Sequence, residues 1–176
     1  MFWEIILKTV VVHTVTYFVV GIPAFILFNY TATLADPSGN MRPASHPLVK
    51  AAILFQPLRG VLFGIVFYLL RDILFLQTNG WLITWIMLVV VGILSTFAPA
   101  GNSIEGFIFL KSSGVRNRFG ILEILSQSLL LSVVTYYWVN HPEQIWLSWT
   151  LGILFIGILL LPVLGLLAER KVISKK

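Results

Sequence analysis

An arginine lies inside a stretch of the chain that is otherwise apolar enough to cross a membrane. Arg59 falls within residues 47–76, PLVKAAILFQPLRGVLFGIVFYLLRDILFL. A guanidinium at that depth costs about 2.5–3.5 kcal/mol on insertion scales and needs a partner. Its planar fork suits a carboxylate or a phosphate. Residues 47–76 are therefore predicted to form the central helix, with the other helices arranged around it to provide that partner.

Two glutamates, Glu105 and Glu123, are predicted at the same membrane face as Arg59. Either could form an ion pair with the arginine that holds helices together. Alternatively, Arg59 binds an anionic ligand or lipid headgroup while a glutamate acts as acid or base, which makes these three residues the candidate catalytic groups. The residues alone leave both interpretations open. The candidate ligand-binding residues are polar side chains predicted in or beside the spans: Gln56, Arg59, Ser95, Gln127, His13 and Tyr17.

His13 lies on the first apolar stretch with polar residues close along the helix. A histidine there suits a proton relay, an axial haem ligand or a hydrogen-bonded packing residue. Haem with two histidine ligands needs a second histidine inside the membrane, and His46 and His141 are both in predicted loops on opposite sides. The chain has no cysteine. The sequence therefore predicts no metal site and no cofactor.

The composition is that of an integral membrane protein. The chain has 176 residues, of which 58% are hydrophobic and 11% charged, whereas soluble domains are about 25% charged. Because each span needs roughly 20 apolar residues, little chain is left for a soluble domain. Residues 1–176 are therefore predicted to form a single integral membrane domain. The net charge of +5 is explained by basic loops beside lipid, so the bilayer is the expected partner and nucleic acid is not.

The hydropathy pattern predicts an all-α, polytopic transmembrane helix bundle of about five spans. Their approximate limits are residues 9–31, 50–72, 81–97, 121–140 and 145–168. The spacing of Gly60 and Gly64 predicts a surface where another helix backbone approaches closely. Pro57 either kinks the second span or begins it after an interfacial segment at residues 47–55, and the sequence does not decide which.

The first span carries a polar-to-small stripe at helical spacing. This stripe is predicted to face the bundle, while the valine and phenylalanine side chains of the same helix face lipid. Its members are Thr9, His13, Thr16, Tyr17, Gly21 and Ala24.

Charge and aromatic residues give the same orientation, with the N-terminus outside and the C-terminus cytoplasmic. With five spans, nine of the twelve basic residues then lie on the cytoplasmic side; they are Arg42, Lys50, Lys111, Arg116, Arg118, Arg170, Lys171, Lys175 and Lys176. The tryptophans are predicted at or near the outer face, since indoles prefer the headgroup region; they are Trp3, Trp81, Trp85, Trp138, Trp146 and Trp149. The pattern is that of a bacterial-type inner (plasma) membrane protein.

Three classes of function fit these features. The first is an accessory or assembly component whose intramembrane polar cluster holds helices together, with a membrane-protein partner or a homo-oligomer. The second is a membrane-embedded enzyme that acts on an anionic lipidic substrate. The third is a small oligomeric transporter or channel. No motif for nucleotide binding, a serine nucleophile or a zinc helix is present, and the sequence leaves open whether the protein is an enzyme.

Overall fold

The fold is a bundle of helices, seen in a computed structural model that describes residues 1–34, 42–97, 100, 103–109 and 118–173. All regular elements in these residues are helical. In chain order they are α1 (Phe2–Leu27), α2 (Tyr30–Leu34), α3 (Pro47–Lys50), a 3₁₀ turn (Ala52–Phe55), α4 (Gln56–Leu69), α5 (Arg71–Leu74), α6 (Gly80–Val89), a π-helical turn (Val90–Leu94), α7 (Ile104–Phe109), α8 (Arg118–Asn140) and α9 (Ile145–Ile173).

Four helices of the described chain are long and apolar enough to cross a membrane. They are Phe2–Leu27, Ala52–Leu69, Gly120–Asn140 and Ile145–Ala168, which correspond to the predicted first, second, fourth and fifth spans. The predicted third span is the shorter apolar helix Gly80–Leu94. The all-helical class is therefore confirmed, while the total of five spans and the orientation stay predictions.

Helix α1 begins at Phe2, seven residues before the predicted span. The early start brings Glu4 and Lys8 onto one turn, where Lys8 Nζ lies 2.8 Å from Glu4 Oε1. Lys8 Nζ also donates to the backbone oxygen of Trp138, 2.9 Å away. The helix ends before Asn29, whose φ of 49° is the left-handed conformation that asparagine tolerates better than most residues.

The structure decides how the second span begins. His46 caps α3, a 3₁₀ turn follows, and Pro57 then lies in the first turn of α4. A proline there loses no hydrogen bond because the first amides of a helix have no intrahelical acceptor. Pro57 therefore lies at the start of the α-helix and does not interrupt it, and the 3₁₀ turn Ala52–Phe55 leads directly into this helix.

The predicted close approach at the two glycines of α4 is confirmed, and the partner is α1. A Cβ placed on Gly60 would lie 2.6 Å from Val10 Cα, and one on Gly64 would lie 2.9 Å from Ile6 Cα. Both distances are too short for any side chain, so the two backbones pack directly against each other. Since Phe2 and Tyr68 also meet edge to face, the two helices run antiparallel.

The most buried helix is α1, so the prediction that residues 47–76 form the central helix is wrong. In α1, 39% of the span residues are buried, compared with 22% in Ala52–Leu69. Val12 and Val15 are buried together with the polar stripe, and the prediction that the valines of this helix face lipid is wrong for them. The reason is that α1 packs against α4, α8 and α9 at once, which buries several sides of its first half.

Threonines can occupy this core because their hydroxyl groups bond to their own helix. Thr9 Oγ1 donates to the backbone oxygen of Ile5, and Thr14 and Thr16 make the equivalent bonds at 2.8 Å. These bonds leave mainly methyl groups toward the neighbouring helices. The rigid rotamers of β-branched residues suit such close packing.

Helix α8 runs antiparallel to α1, and its two ends carry different polar contacts. At one end, Trp138 lies beside Lys8, and its indole donates to Ser148 Oγ of α9. At the other end, Glu123 lies against Gly21. Trp85 departs from the predicted aromatic boundary, because its indole donates to the backbone oxygen of Leu125, in the half of α8 that holds Glu123.

Candidate functional site

A chain of hydrogen bonds joins α1 to the first turn of α4. The Gln56 amide nitrogen donates to the backbone oxygen of Ala52, which turns the amide oxygen toward His13 and Arg59. His13 Nε2 and Arg59 Nη1 each lie 3.3 Å from this oxygen. Because an amide oxygen can only accept, both groups donate to it. The structure thus brings together three of the predicted ligand-binding residues.

The two inner members of this chain are buried and the outer one is exposed. His13 and Gln56 are 1% and 5% exposed, whereas Arg59 belongs to the exposed residues. With Nε2 as the donor, the neutral imidazole carries its lone pair on Nδ1, and this atom is buried without a hydrogen-bond partner among the described residues. The site therefore has a fixed, buried base and a cation at its surface.

Phe63 lies between the histidine and the arginine. Its ring centroid is 5.0 Å from that of His13, in an edge-to-face arrangement, and 6.0 Å from the Arg59 guanidinium carbon. Arg59 and Phe63 are four residues apart on α4, the spacing that places two side chains on one helix face. Sequence analysis missed Phe63, although this spacing was a usable signal.

Glu123 is held by a different partner from the one predicted. The hydroxyl group of Tyr30, at the start of α2, donates to its carboxylate. Burial raises the pKa of Tyr30, and the hydrogen bond to Glu123 raises it further, so the hydroxyl keeps its proton at neutral pH. Sequence analysis missed Tyr30, which follows the first apolar stretch and gives no spacing signal toward α8.

The predicted ion pair between Arg59 and a glutamate is not formed in the part of the chain that the structure describes. No oxygen of Glu105 or Glu123 lies within 4 Å of the guanidinium. Arg59 instead donates to Gln56, three residues before it on the same helix. Tyr17 lies between the two charges, within electrostatic range of both Arg59 and Glu123.

Three predicted residues lie apart from this cluster. Ser95 is exposed just after the π-helical turn, Glu105 is partly exposed on the short helix α7, and Gln127 is partly buried on α8. Among the described residues, no hydrogen bond joins any of them to His13 or Arg59. Their roles in ligand binding or catalysis stay predictions.

The described residues contain no group of three or more histidine, aspartate and glutamate side chains that could hold a metal ion. The prediction that the protein has no metal or cofactor stays a prediction. The cluster of His13, Gln56 and Arg59 provides N–H donors, the buried Nδ1 lone pair of His13 and the exposed positive charge of Arg59. Groups of this kind can bind an anion or a neighbouring helix, or can transfer a proton.

In comparisons with known proteins, the chain matches no family model, no curated protein and no solved structure.

Proposed function

We propose that the protein is an assembly component of a membrane, and that α9 is the surface through which it associates with a second copy of itself. The exposure of α9 carries this proposal. Only 11% of an 18-residue apolar stretch of this helix is buried, compared with 39% for α1. A Cβ placed on Gly152, Gly157 or Gly165 meets no atom within 4 Å, so no other helix of the described chain approaches these glycines closely.

The chain itself indicates what such glycines can do. Lipid gives helices no hydrophobic reason to associate, so close packing at small residues is a main source of affinity between them. Gly60 and Gly64 provide that packing for α1. Gly157, in the middle of α9, offers the same kind of surface without an occupant, which supports an external helix as the partner.

The spacing of exposed residues on α9 favours a second copy as that partner. A line of exposed residues recurs at alternating steps of four and three; its members are Trp146, Thr150, Ile153, Gly157, Leu160, Leu164 and Leu167. Steps of this kind allow two helices to stay side by side over several turns. In a parallel pair of identical helices, the small residues Thr150 and Gly157 face their own copies and permit a close crossing.

The assembly role is favoured over the enzyme by the contacts of the charged groups. An enzyme of the predicted kind needs Arg59 and a glutamate that converge on one space. Instead, Arg59 bonds to Gln56, and Glu123 accepts a hydrogen bond from Tyr30. The bonds from His13 to Gln56 and from Tyr30 to Glu123 join different helices, as expected of an assembly component with an intramembrane polar cluster.

We place the protein in a bacterial-type inner membrane with the C-terminus in the cytoplasm. The concentration of basic residues in the predicted loops at 32–50 and 98–120 and in the C-terminal tail supports this orientation. A Lys176→Cys variant tests it in intact cells. The cysteine should resist a membrane-impermeant maleimide until the cells are opened, and labelling before opening contradicts the orientation.

Disulfide cross-linking in native membranes tests the association. The chain has no cysteine, so every single-cysteine variant is free of background. With mild oxidant, Thr150→Cys and Gly157→Cys should give disulfide-linked dimers. Leu62→Cys is the control, because Leu62 is 60% exposed on α4 and lies outside the proposed interface.

A second substitution separates loss of the interface from loss of the fold. Gly157→Leu, combined with Thr150→Cys, should strongly reduce the dimer without unfolding the monomer, because a Cβ at Gly157 meets no atom of another helix within 4 Å and the residue is exposed. Equal cross-linking at Thr150→Cys and Leu62→Cys, or no dimer at either α9 position, contradicts the proposal.

A further inference from the structure

Arg59 is a cation without a carboxylate partner in the described chain, although it lies in one of the apolar spans. It is seven residues after Ala52, the start of the span. At about 2.0 Å per 3₁₀ residue and 1.5 Å per α residue, this is roughly 12 Å along the axis. An arginine side chain at that depth can extend its guanidinium toward the membrane interface.

The guanidinium is held in place from the protein side. Its hydrogen bond to Gln56 Oε1 and its position over the Phe63 ring fix one edge of the group. Gln56 is itself fixed by His13 and by the backbone of Ala52. The Arg59 side chain is therefore largely ordered before a ligand binds. Binding then loses less side-chain entropy than it would at a flexible surface arginine.

Most of its donors are free within the described residues. A guanidinium has five N–H groups, and one hydrogen bond is formed with the described residues. The remaining donors match the oxygens of a phosphate.

From this geometry we propose that Arg59 binds the phosphate of an anionic lipid headgroup, with Gln56 and His13 as positioning residues. The ligand chemistry is a phosphate ester anion at the membrane interface. Lipid is the favoured source because the guanidinium is exposed on the surface of a span, where acyl chains can pack beside Phe63 and the apolar face of α4. The site goes beyond the proposed assembly role and involves none of the α9 surface.

Native mass spectrometry of lipids retained by the purified protein tests the site. The protein is exchanged into phosphatidylcholine nanodiscs with increasing phosphatidylglycerol and then released for counting of bound lipids. Arg59→Met should lower the affinity for retained phosphatidylglycerol about tenfold and have a smaller effect on phosphatidylcholine, whose choline group neutralises the charge of its phosphate. Arg71→Met is the matched control, because Arg71 lies 3.6 Å from Asp72 and stacks on Tyr68.

Two further arms define the chemistry. Arg59→Lys keeps the positive charge but loses the two-pronged guanidinium geometry, so its affinity for phosphatidylglycerol should fall between those of wild type and Arg59→Met. This variant also tests the site if Arg59→Met fails to fold. Inorganic phosphate in excess should not displace the lipid, and displacement shows that the site takes free phosphate, which overturns the lipid assignment. Equal lipid retention in Arg59→Met and wild type, or equal loss in Arg59→Met and Arg71→Met, overturns the site. The α9 cross-linking is unaffected by all these outcomes, so the two proposals fail separately.

Discussion

The crossing of α1 and α4 makes a graded prediction for three glycine-to-alanine variants. A methyl group on Gly60 would lie 2.6 Å from Val10 Cα, and one on Gly64 would lie 2.9 Å from Ile6 Cα. Both obstacles are backbone atoms, which cannot rotate away as the end of a side chain can. Gly157 has no atom within 4 Å of the added methyl group and is the matched control.

The magnitude follows from the distance that the helices must move. Restoring an ordinary contact of 3.4 Å or more at Gly60 requires the two helices to separate by about 1 Å, and such a gap removes a quarter to a half of the dispersion energy of the facing atoms. Overpacking of this kind costs about 1–3 kcal/mol. Replacing glycine by alanine in a helix also stabilises it by up to about 1 kcal/mol, but this gain is common to all three variants. The difference between variants therefore measures packing.

Reversible unfolding of the purified protein in mixed micelles, followed by tryptophan fluorescence, measures these changes. Gly60→Ala should be the least stable, Gly64→Ala intermediate, and Gly157→Ala equal to or more stable than wild type. If Gly60→Ala and Gly157→Ala unfold at the same denaturant fraction, α1 and α4 do not cross at the two glycines, and the packing described here is wrong.

The polar contacts give two more predictions, measured by the same unfolding assay. Gln56→Leu should destabilise the protein by about 1–3 kcal/mol, because it leaves His13 Nε2 buried without an acceptor. Arg59→Met should destabilise the protein less, since the guanidinium is exposed. Equal losses of stability in the two variants would contradict the hydrogen-bonded chain of His13, Gln56 and Arg59. Tyr30→Phe should cost about 0.5–1.5 kcal/mol through its lost bond to Glu123. The pKa of Tyr30 is raised above its ordinary 10.0, so this hydroxyl favours the folded state fully below pH 10. The stability difference between wild type and Tyr30→Phe should therefore shrink as the pH rises above 10, and a difference that grows there contradicts the assignment.

Much of the helical framework could be predicted from the sequence because its signals are local. The span lengths follow from apolar runs, the close approach at Gly60 and Gly64 follows from their spacing, and the pair of Glu4 and Lys8 follows from a separation of four residues. Each of these depends on residues within one or two turns of a helix.

The partners across helices could not be predicted, because spacing identifies a surface and not its occupant. The small-residue surface of α4 gave no indication that α1 would lie against it, so the wrong helix was expected at the centre. Similarly, nothing in the spacing of α4 indicated that His13 of α1 would contact Gln56 and Phe63. The contact between Tyr30 and Glu123 depends on how the chain after α1 lies beside α8, and no local sequence pattern predicts this.

Spin-label accessibility tests most directly the claim that lipid surrounds these helices. Labels on single cysteines replacing Leu62 and Leu130, which are 60% and 38% exposed and lie outside the proposed α9 interface, would be compared with a label replacing Ser45, exposed ahead of α3. In reconstituted bilayers, the two helix positions should collide often with oxygen and rarely with a water-soluble nickel chelate, and Ser45 should show the reverse. Nickel collision rates at Leu62 and Leu130 equal to those at Ser45 would show that water covers these surfaces and would contradict the account.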